Sequence, residues 1–425
     1  MRQDCAFTIV AKNYIGLGEI LGKTLHKHNP DVDFKIIVAD EFGQNENVEL
    51  PDNVIISRSI LPYSDAEWRD MTFKYNLTEL CTAIKPAGFK YLFNTGYERV
   101  VYFDPDIFIF SSVSEIFNHM RCKDFILTPH VDGVHLRYEG EHPEWLMNVN
   151  GIFNLGFGGI RKSDKTMAIL SWWEERLKDQ CFNERSLGQF TDQKWMDWIP
   201  GFIDTENVHI LRNLGMNVAP WNFFERKFEK GDDGYYVTFR SEDSGETRRD
   251  KLVFVHYSGY DYTKLKQGIV EHKRLSLTNY PDLKEAIDKY GVAIKENADT
   301  FDKFIDQQYS YECFDNGFKI NEFHRRLYHG LPKELRFKIN PYSTSEGSFY
   351  HQLKQNGLID ENTPSSITKR SIKDMDGKKR TLNRFFKLLF KLMGFKRYVP
   401  FVRSFYTYCL PESHTFLIDS EKITH

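Results

Sequence analysis

CAFTIVAKNYIGLGEILGKTLHKHNPDVDFKIIVAD, residues 5–40, decides the fold class. Cys5–Val10 is a short apolar run with the length and β-branched content of a buried strand. From Ile15 to Leu25 the apolar positions recur at helical spacing, and the pattern ends near His28-Asn-Pro. Phe34–Ala39 is a second buried strand, closed by Asp40, and residues 54–57 supply a third. Strand, helix and strand at this spacing form a βαβ unit, which predicts a parallel sheet with helices on its faces.

Further along, helical periodicity over residues 76–93 is broken once, at Pro86. Arg99–Phe110 reads as strand, acidic turn, strand, and Phe125–Thr128 as another short strand. Residues 151–160 are strand-like but rich in glycine, residues 163–180 form an amphipathic helix with Ser163 as its N-cap, and Leu252–His256 is a late apolar strand. Beyond about residue 262 the pattern turns helical, with a long charged stretch over 281–308 and a polar loop or linker over 340–375. The expected organisation is a catalytic domain over 1–262, a helical region over 263–335, and a linker with a basic aromatic tail over 336–425. For a chain of 425 residues this agrees with a prior of two or three domains.

Composition narrows the function classes. With 41% hydrophobic and 28% charged residues the chain is globular, and its net charge of −3 gives no global attraction for nucleic acid. Residues 365–404 depart from that average, with twelve Lys and Arg against two Asp. No apolar run approaches the length that spans a bilayer, and no secretory leader is read at Met1–Val10. The six cysteines stand far apart, which disfavours a disulfide framework or a structural zinc site and suggests a reducing cytoplasm.

Four constellations carry chemistry. Asp104-Pro-Asp106 places two carboxylates one residue apart after a hydrophobic strand; such a turn either binds a hard divalent cation or is simply solvated. His256-Tyr-Ser-Gly259 closes another strand; its imidazole is a core-edge residue, or the nitrogen of a mixed oxygen and nitrogen site. Asn154-Leu-Gly-Phe-Gly-Gly159 is a bulged strand or a close backbone approach to a ligand. Asp192 in Thr191-Asp-Gln-Lys194 is an N-cap or a functional acid.

In this order, Asp104/Asp106, Phe153-Asn154-Leu155-Gly156, Asp192-Gln193 and His256-x-x-Gly259 resemble glycosyltransferase family 8 and related bacterial surface-polysaccharide enzymes of GT-A fold. Thr8-Ile-Val-Ala11-Lys-Asn-Tyr14 and Lys85-Pro86 fit the same resemblance, which covers roughly residues 5–262. It implies a mixed Rossmann-like sheet flanked by helices, with a C-terminal helical region. It implies Mn²⁺ or Mg²⁺ held by Asp104, Asp106 and His256 against a donor diphosphate. Thr8, Ala11, Asn13, Tyr14 and Asp40 would surround the nucleotide, Lys85 and Gly259 would contact the donor, and Asn154, Gly156 and Asp192 would meet the transferred sugar. Gln193 matches the position beneath the anomeric carbon. The implied reaction moves a hexose from a UDP-sugar to a saccharide or lipid-linked glycan, with retention, in cell-envelope glycan synthesis. Two departures stand out: the basic helix residue is Lys85 where the family has Arg, and no Lys follows Gly259 at two residues.

Competing readings remain. A sugar-phosphate nucleotidyltransferase needs a Gly-rich, Arg-containing loop after the first strand, and residues 11–18 contain no Arg. A non-catalytic glycan- or membrane-binding protein on a degenerate GT-A scaffold is the third. Gly16-Leu-Gly18-Glu-Ile-Leu-Gly22 has the wrong spacing for a dinucleotide fingerprint. His130, His135 and His142, with Asp132 and Glu139, fit no zinc pattern and read as solvated loop residues. The tail over 381–410 pairs Arg384, Lys387 and Lys391 with an apolar face of Phe386, Leu389, Phe390 and Met393. It reads as an interfacial helix on an anionic membrane, at the inner face of the cell membrane, or as a helix docked on protein.

Overall fold

The computed structural model describes residues 3–43, 48–240, 248–359 and 375–425. They divide into two compact units, Met1–Pro62 with Leu77–Tyr309, and Tyr63–Asn76 with Ser310–His425.

The first unit is built on a mixed sheet flanked by helices, the α/β class expected. Its strands are β1 (Asp4–Val10), β2 (Asp33–Val38), β3 (Val54–Ile56), β4 (Arg99–Phe103), β6 (Phe125–Leu127), β7 (Phe157–Arg161) and β8 (Val208–Ile210), with β5 (Ile107–Ile109) outside it. Their order is β3-β2-β1-β4-β7-β6-β8. β1 pairs parallel with both β2 and β4, β7 runs antiparallel to β4 and β6, and β8 is parallel to β6. From β1 the chain crosses to β2 on one side and later to β4 on the other. That reversal opens a crevice at the carboxyl ends of β1 and β4, the place where open α/β sheets receive ligands.

The helix Ile15–His28 covers this sheet. His26, Lys27 and His28 complement the dipole of its last turn, and Pro30 prevents it continuing. Its glycines are packing contacts. A Cβ on Gly22 would lie 2.5 Å from the Phe34 ring, one on Gly18 would lie 3.1 Å from Ile36, and one on Gly16 would lie 2.7 Å from the Phe301 backbone. They admit close neighbours and leave no phosphate cradle at those positions.

Two smaller sheets complete the unit. β5 pairs antiparallel with β12 (Phe254–His256), placing His256 opposite Ile107. β9 (Arg226–Gly231), β10 (Gly234–Phe239) and β11 (Arg249–Lys251) form an antiparallel meander that the sequence reading missed. The helix expected over 163–180 spans Asp164–Leu177, with Ser163 in a capping box with Thr166. The charged stretch 281–308 becomes the helices Lys284–Glu296 and Ala298–Ile305.

The second unit is helical. Phe73, Phe314, Leu327, Tyr328, Phe349 and Leu353 share one core. Arg325 donates to the carbonyls of Thr72, Phe73 and Tyr75 at 3.2, 2.6 and 2.9 Å, satisfying the open end of the helix Asp65–Lys74. Within 340–375, expected as a polar loop, Phe349–Gln355 is helical and residues 360–374 lie outside the described residues. The tail forms two helices, Met375–Met393 and Phe395–Tyr408. No helix among the described residues is long and apolar enough to cross a membrane.

Candidate active site

The acidic turn joins β4 to β5 at the mouth of the β1/β4 crevice. The Asp104 amide donates to the Gly156 carbonyl at 2.7 Å, and the Asp106 carbonyl accepts from the Tyr257 amide at 2.8 Å, so both neighbouring segments clamp the turn. His256 arrives through the β12–β5 pairing. Its Nε2 stands 3.1 Å from Asp106 Oδ1 and 3.5 Å from Asp104 Oδ2. One ligand atom from each of the three residues lies within 4.8 Å of the others. The Tyr102 hydroxyl donates to Asp104 Oδ1 at 2.6 Å, which orients the carboxylate.

Burial pushes the Asp104 carboxyl above the usual carboxylate range, although Lys85 and His256 pull it down. Burial works against a charged His256, but Asp106 and Asp104 outweigh it and raise the imidazole above its ordinary value. Two crowded acids and an imidazole form a set that a divalent cation would relieve. Oxygen, oxygen and nitrogen donors suit Mn²⁺ or Mg²⁺. The surrounding backbone fits as well. A Cβ on Gly156 would lie 2.2 Å from His256 Cε1, 2.6 Å from its Nδ1 and 2.8 Å from Asp104 Oδ2. A side chain at this position would displace His256 and press on Asp104.

Around this triad lies a buried polar network. Lys85 Nζ sits 2.6 Å from Asp192 Oδ2, donates to the Leu155 carbonyl at 2.8 Å, and lies over the Tyr102 ring at 4.0 Å. The Asp192 side chain does not cap the following helical turn, so the capping alternative fails. Thr191, before it, holds a left-handed φ of 47°, a strained conformation for a β-branched residue. Gln193 Oε1 accepts from the Leu155 amide at 3.0 Å and Asn154 Nδ2 at 3.2 Å, while its Nε2 donates to the Asn150 carbonyl at 2.9 Å. Asn154 Oδ1 in turn accepts from the Gly156 amide and from Asn217 Nδ2, at 3.2 and 3.0 Å.

The residues expected around a nucleotide cluster at the end of β1. Asp40 Oδ1 accepts from the Lys12 amide at 2.8 Å, fixing the turn after Ala11. The Tyr14 ring stacks on Tyr262 at 4.0 Å, and the Tyr262 hydroxyl donates to the Asn13 carbonyl. Burial, with Asp106 nearby, pushes the Tyr14 hydroxyl up to about 12. Thr8 is fully buried beneath the covering helix, its methyl 3.4 Å from where a Gly18 Cβ would be. Gly259 has φ 78°, and a Cβ there would lie 2.8 Å from His272 Nε2.

One expectation is overturned. The histidines of 130–142 and their acids are not all solvated. His130 is buried, its Nδ1 bonded to the Ile152 carbonyl at 3.1 Å, and burial lowers its pKa to about 4. The Asp132 side chain pairs with buried Arg226 at 2.7 Å, and His135 Nε2 stands 3.0 Å from Glu225. The partners lie some 90 residues away, so the local sequence showed charges without their counter-charges.

The sequence reading also missed Trp221 and Asn217. Trp221 sets its ring edge-on to His256 at 5.2 Å and to His130 at 5.3 Å. Asn217, at φ 53°, bridges Thr128 and Asn154. The available signal was the Asn217-Val-Ala-Pro-Trp221-Asn222 run, polar and aromatic in an otherwise unassigned stretch.

No family model matches the chain. Two proteins of Bacillus subtilis (strain 168), both described as uncharacterized, are similar to it. YfnF is 27% identical over 283 residues, covering 65% of this chain and 86% of YfnF. YfnD is 23% identical over 312 residues, covering 69% and 93%. Among solved structures, the chain is similar to the galactosyltransferase LgtC, solved with donor and acceptor sugar analogs, at 16% identity and a TM-score of 0.39, over 68% of this chain and 95% of LgtC. It is also similar to the glycosyltransferase GlyE of Streptococcus pneumoniae TIGR4, at 13% identity and a TM-score of 0.38, over 74% and 67%.

Proposed function

We propose that this chain is a metal-dependent glycosyltransferase of GT-A type, moving a hexose from a nucleotide-sugar, UDP-linked, to a saccharide or lipid-linked glycan in cell-envelope assembly, with retention. The observation that carries the reading is the Asp104/Asp106/His256 triad at the mouth of the β1/β4 crevice, beside the Ala11–Tyr14 turn. Residues 1–262 would carry catalysis.

Breaking a glycosyl–phosphate bond needs charge stabilisation of the leaving diphosphate. Mn²⁺ or Mg²⁺ held by Asp104, Asp106 and His256 would supply that neutralisation. The chain's own groups prepare the rest. Tyr14 offers a ring face to the base, and the Asp40-fixed turn presents the backbone of Ala11 and Asn13. Asp192, paired with Lys85, and Asn154, fixed by Gln193 and Asn217, would meet the sugar hydroxyls. Lys85 acts toward the donor chiefly by orienting Asp192, since its ammonium is already engaged. Gln193 is bonded on both sides of its amide, so it supports the Asn154–Gly156 loop as well as lying beneath the sugar. Gly156 leaves His256 and Asp104 the room that a Cβ would take.

The test is thermal stability against a panel of nucleoside diphosphates, each with and without Mn²⁺. A rise in melting temperature with UDP that requires Mn²⁺ is expected. No Mn²⁺-dependent shift with any nucleotide would remove the reading.

A further inference from the structure

The two tail helices pack on each other as a hairpin. Gly394, at φ 69°, turns the chain between them, and its amide donates to the Phe390 carbonyl at 2.9 Å, closing the first helix. Phe386 meets Phe405 across the hairpin at 6.5 Å, and Phe390 meets Tyr398 edge-on at 5.2 Å. The face expected to be free is therefore mostly turned inward: Phe386, Leu389 and Met393 are half-buried.

A different apolar stripe is left outside. Phe385 is 52% exposed, Leu388 55% and Leu392 73%, and Phe395 at the turn is 71% exposed. At about 100° per residue, Phe385, Leu388 and Leu392 fall within about 60° of one another on the helix. The adjacent arc, of about the same width, holds Arg384, Lys387 and Lys391. None of these three cations makes a salt bridge among the described residues. Residues 375–408 hold nine Lys and Arg against one Asp.

We propose that this hairpin lies on an anionic lipid surface, with Phe385, Leu388 and Leu392 inserted below the headgroups and Arg384, Lys387 and Lys391 at phosphate level. An apolar stripe bordered by cations is the charge pattern such a surface complements, and long basic side chains reach headgroups from the edge of an inserted face. A second copy of the chain would bring like charges together along the same edge. An isolated apolar groove on another protein would leave the cation stripe without a counterpart. The inference stands apart from the glycosyltransferase reading: lipid binding requires no donor, and donor binding requires no lipid.

The experiment is co-sedimentation of the full chain with vesicles of phosphatidylcholine alone, and of phosphatidylcholine mixed with phosphatidylglycerol, at low and raised salt. The chain is expected to sediment with the anionic vesicles, to remain in solution with the neutral ones, and to be released by salt. The triple substitution Arg384→Gln/Lys387→Gln/Lys391→Gln should weaken binding on the order of 100-fold, at about five-fold per cation. Phe385→Ser/Leu388→Ser/Leu392→Ser should abolish it. All six side chains are exposed, and near-ultraviolet circular dichroism checks that the fold persists. The proposal is overturned if the wild type stays in solution with anionic vesicles, if it binds both vesicle types equally, or if either folded variant sediments like the wild type. It is equally overturned if the wild type is a dimer without affinity for vesicles and the apolar variant is a monomer, since the stripe would then bury a second copy.

Discussion

Replacing Gly156 with alanine adds one methyl group at the centre of the site. The added Cβ would stand 2.2 Å from His256 Cε1 and 2.8 Å from Asp104 Oδ2. Carbon atoms in contact need about 3.5 Å, so the imidazole has to retreat by roughly 1 Å. Gly156 does not hold a positive φ, so the cost is steric and falls on the donors. A metal–ligand distance tolerates about 0.2 Å. A 1 Å displacement of one donor in three, with pressure on a second, should weaken Mn²⁺ binding by about 100-fold or more, given that loss of supporting contacts alone costs about 10–100-fold. Overpacking should also destabilise the fold by about 1–3 kcal/mol. Calorimetric titration with Mn²⁺ measures the first effect and urea denaturation the second. Gly158→Ala is the control, because a Cβ there meets nothing within 4 Å. A folded Gly156→Ala protein that binds Mn²⁺ like the wild type, or an equal loss in Gly158→Ala, would show that Gly156 does not shape a metal site.

Three further outcomes are expected. Lys85→Met leaves Asp192 buried without its cation and should cost about 3–5 kcal/mol in urea denaturation, most of it recovered in Lys85→Met/Asp192→Asn; a single-variant loss below about 1 kcal/mol would show that the pair is not strongly coupled. The hydrogen bond to Glu225, opposed by burial, holds His135 above the ordinary imidazole range. Its stabilising contribution is therefore complete below the unfolded pKa of about 6.5 and is lost as pH rises through the folded value. The melting temperature of the wild type should accordingly fall more steeply above neutral pH than that of His135→Gln, and parallel curves would contradict this. Gln193→Ala removes both acceptor bonds that hold Asn154 and Leu155 and should lower kcat while leaving UDP affinity near wild type; unchanged turnover would exclude the positioning role.

The parts of the fold legible in the sequence are those whose burial is two-sided or strictly periodic. β1, β2 and β4 are apolar runs because helices cover both faces, and the Ile15–His28 helix shows its period. The meander β9–β11 was not legible, because a strand such as Arg226–Gly231 carries four charged residues and a single large apolar one, Phe228, and so shows neither an apolar run nor alternation. The glycine-rich stretch 151–160 reads as one strand, yet the strand itself is Phe157–Arg161, and upstream of it Phe153 makes an isolated bridge to Pro129. Asn154–Gly156 is held in addition by side chains of Gln193 and Asn217, bonds of long sequence separation that no local pattern reveals. The helix Asp65–Lys74 was missed despite its signal, a capping box of Ser64 and Glu67. In the site, Asp104, Asp106 and His256 were legible because each follows or ends a hydrophobic strand. Their mutual distances depend on the β5–β12 register, which pairs residues nearly 150 positions apart.

The proposed metal-dependent transfer is tested most directly by release of the nucleoside diphosphate from a panel of UDP-hexoses, with Mn²⁺ or with a chelator, for the wild type and for Asp106→Asn. Mn²⁺-dependent release of UDP from at least one donor, lost in a folded Asp106→Asn variant, is expected. No metal-dependent release from any donor, or equal release by the variant, would contradict it.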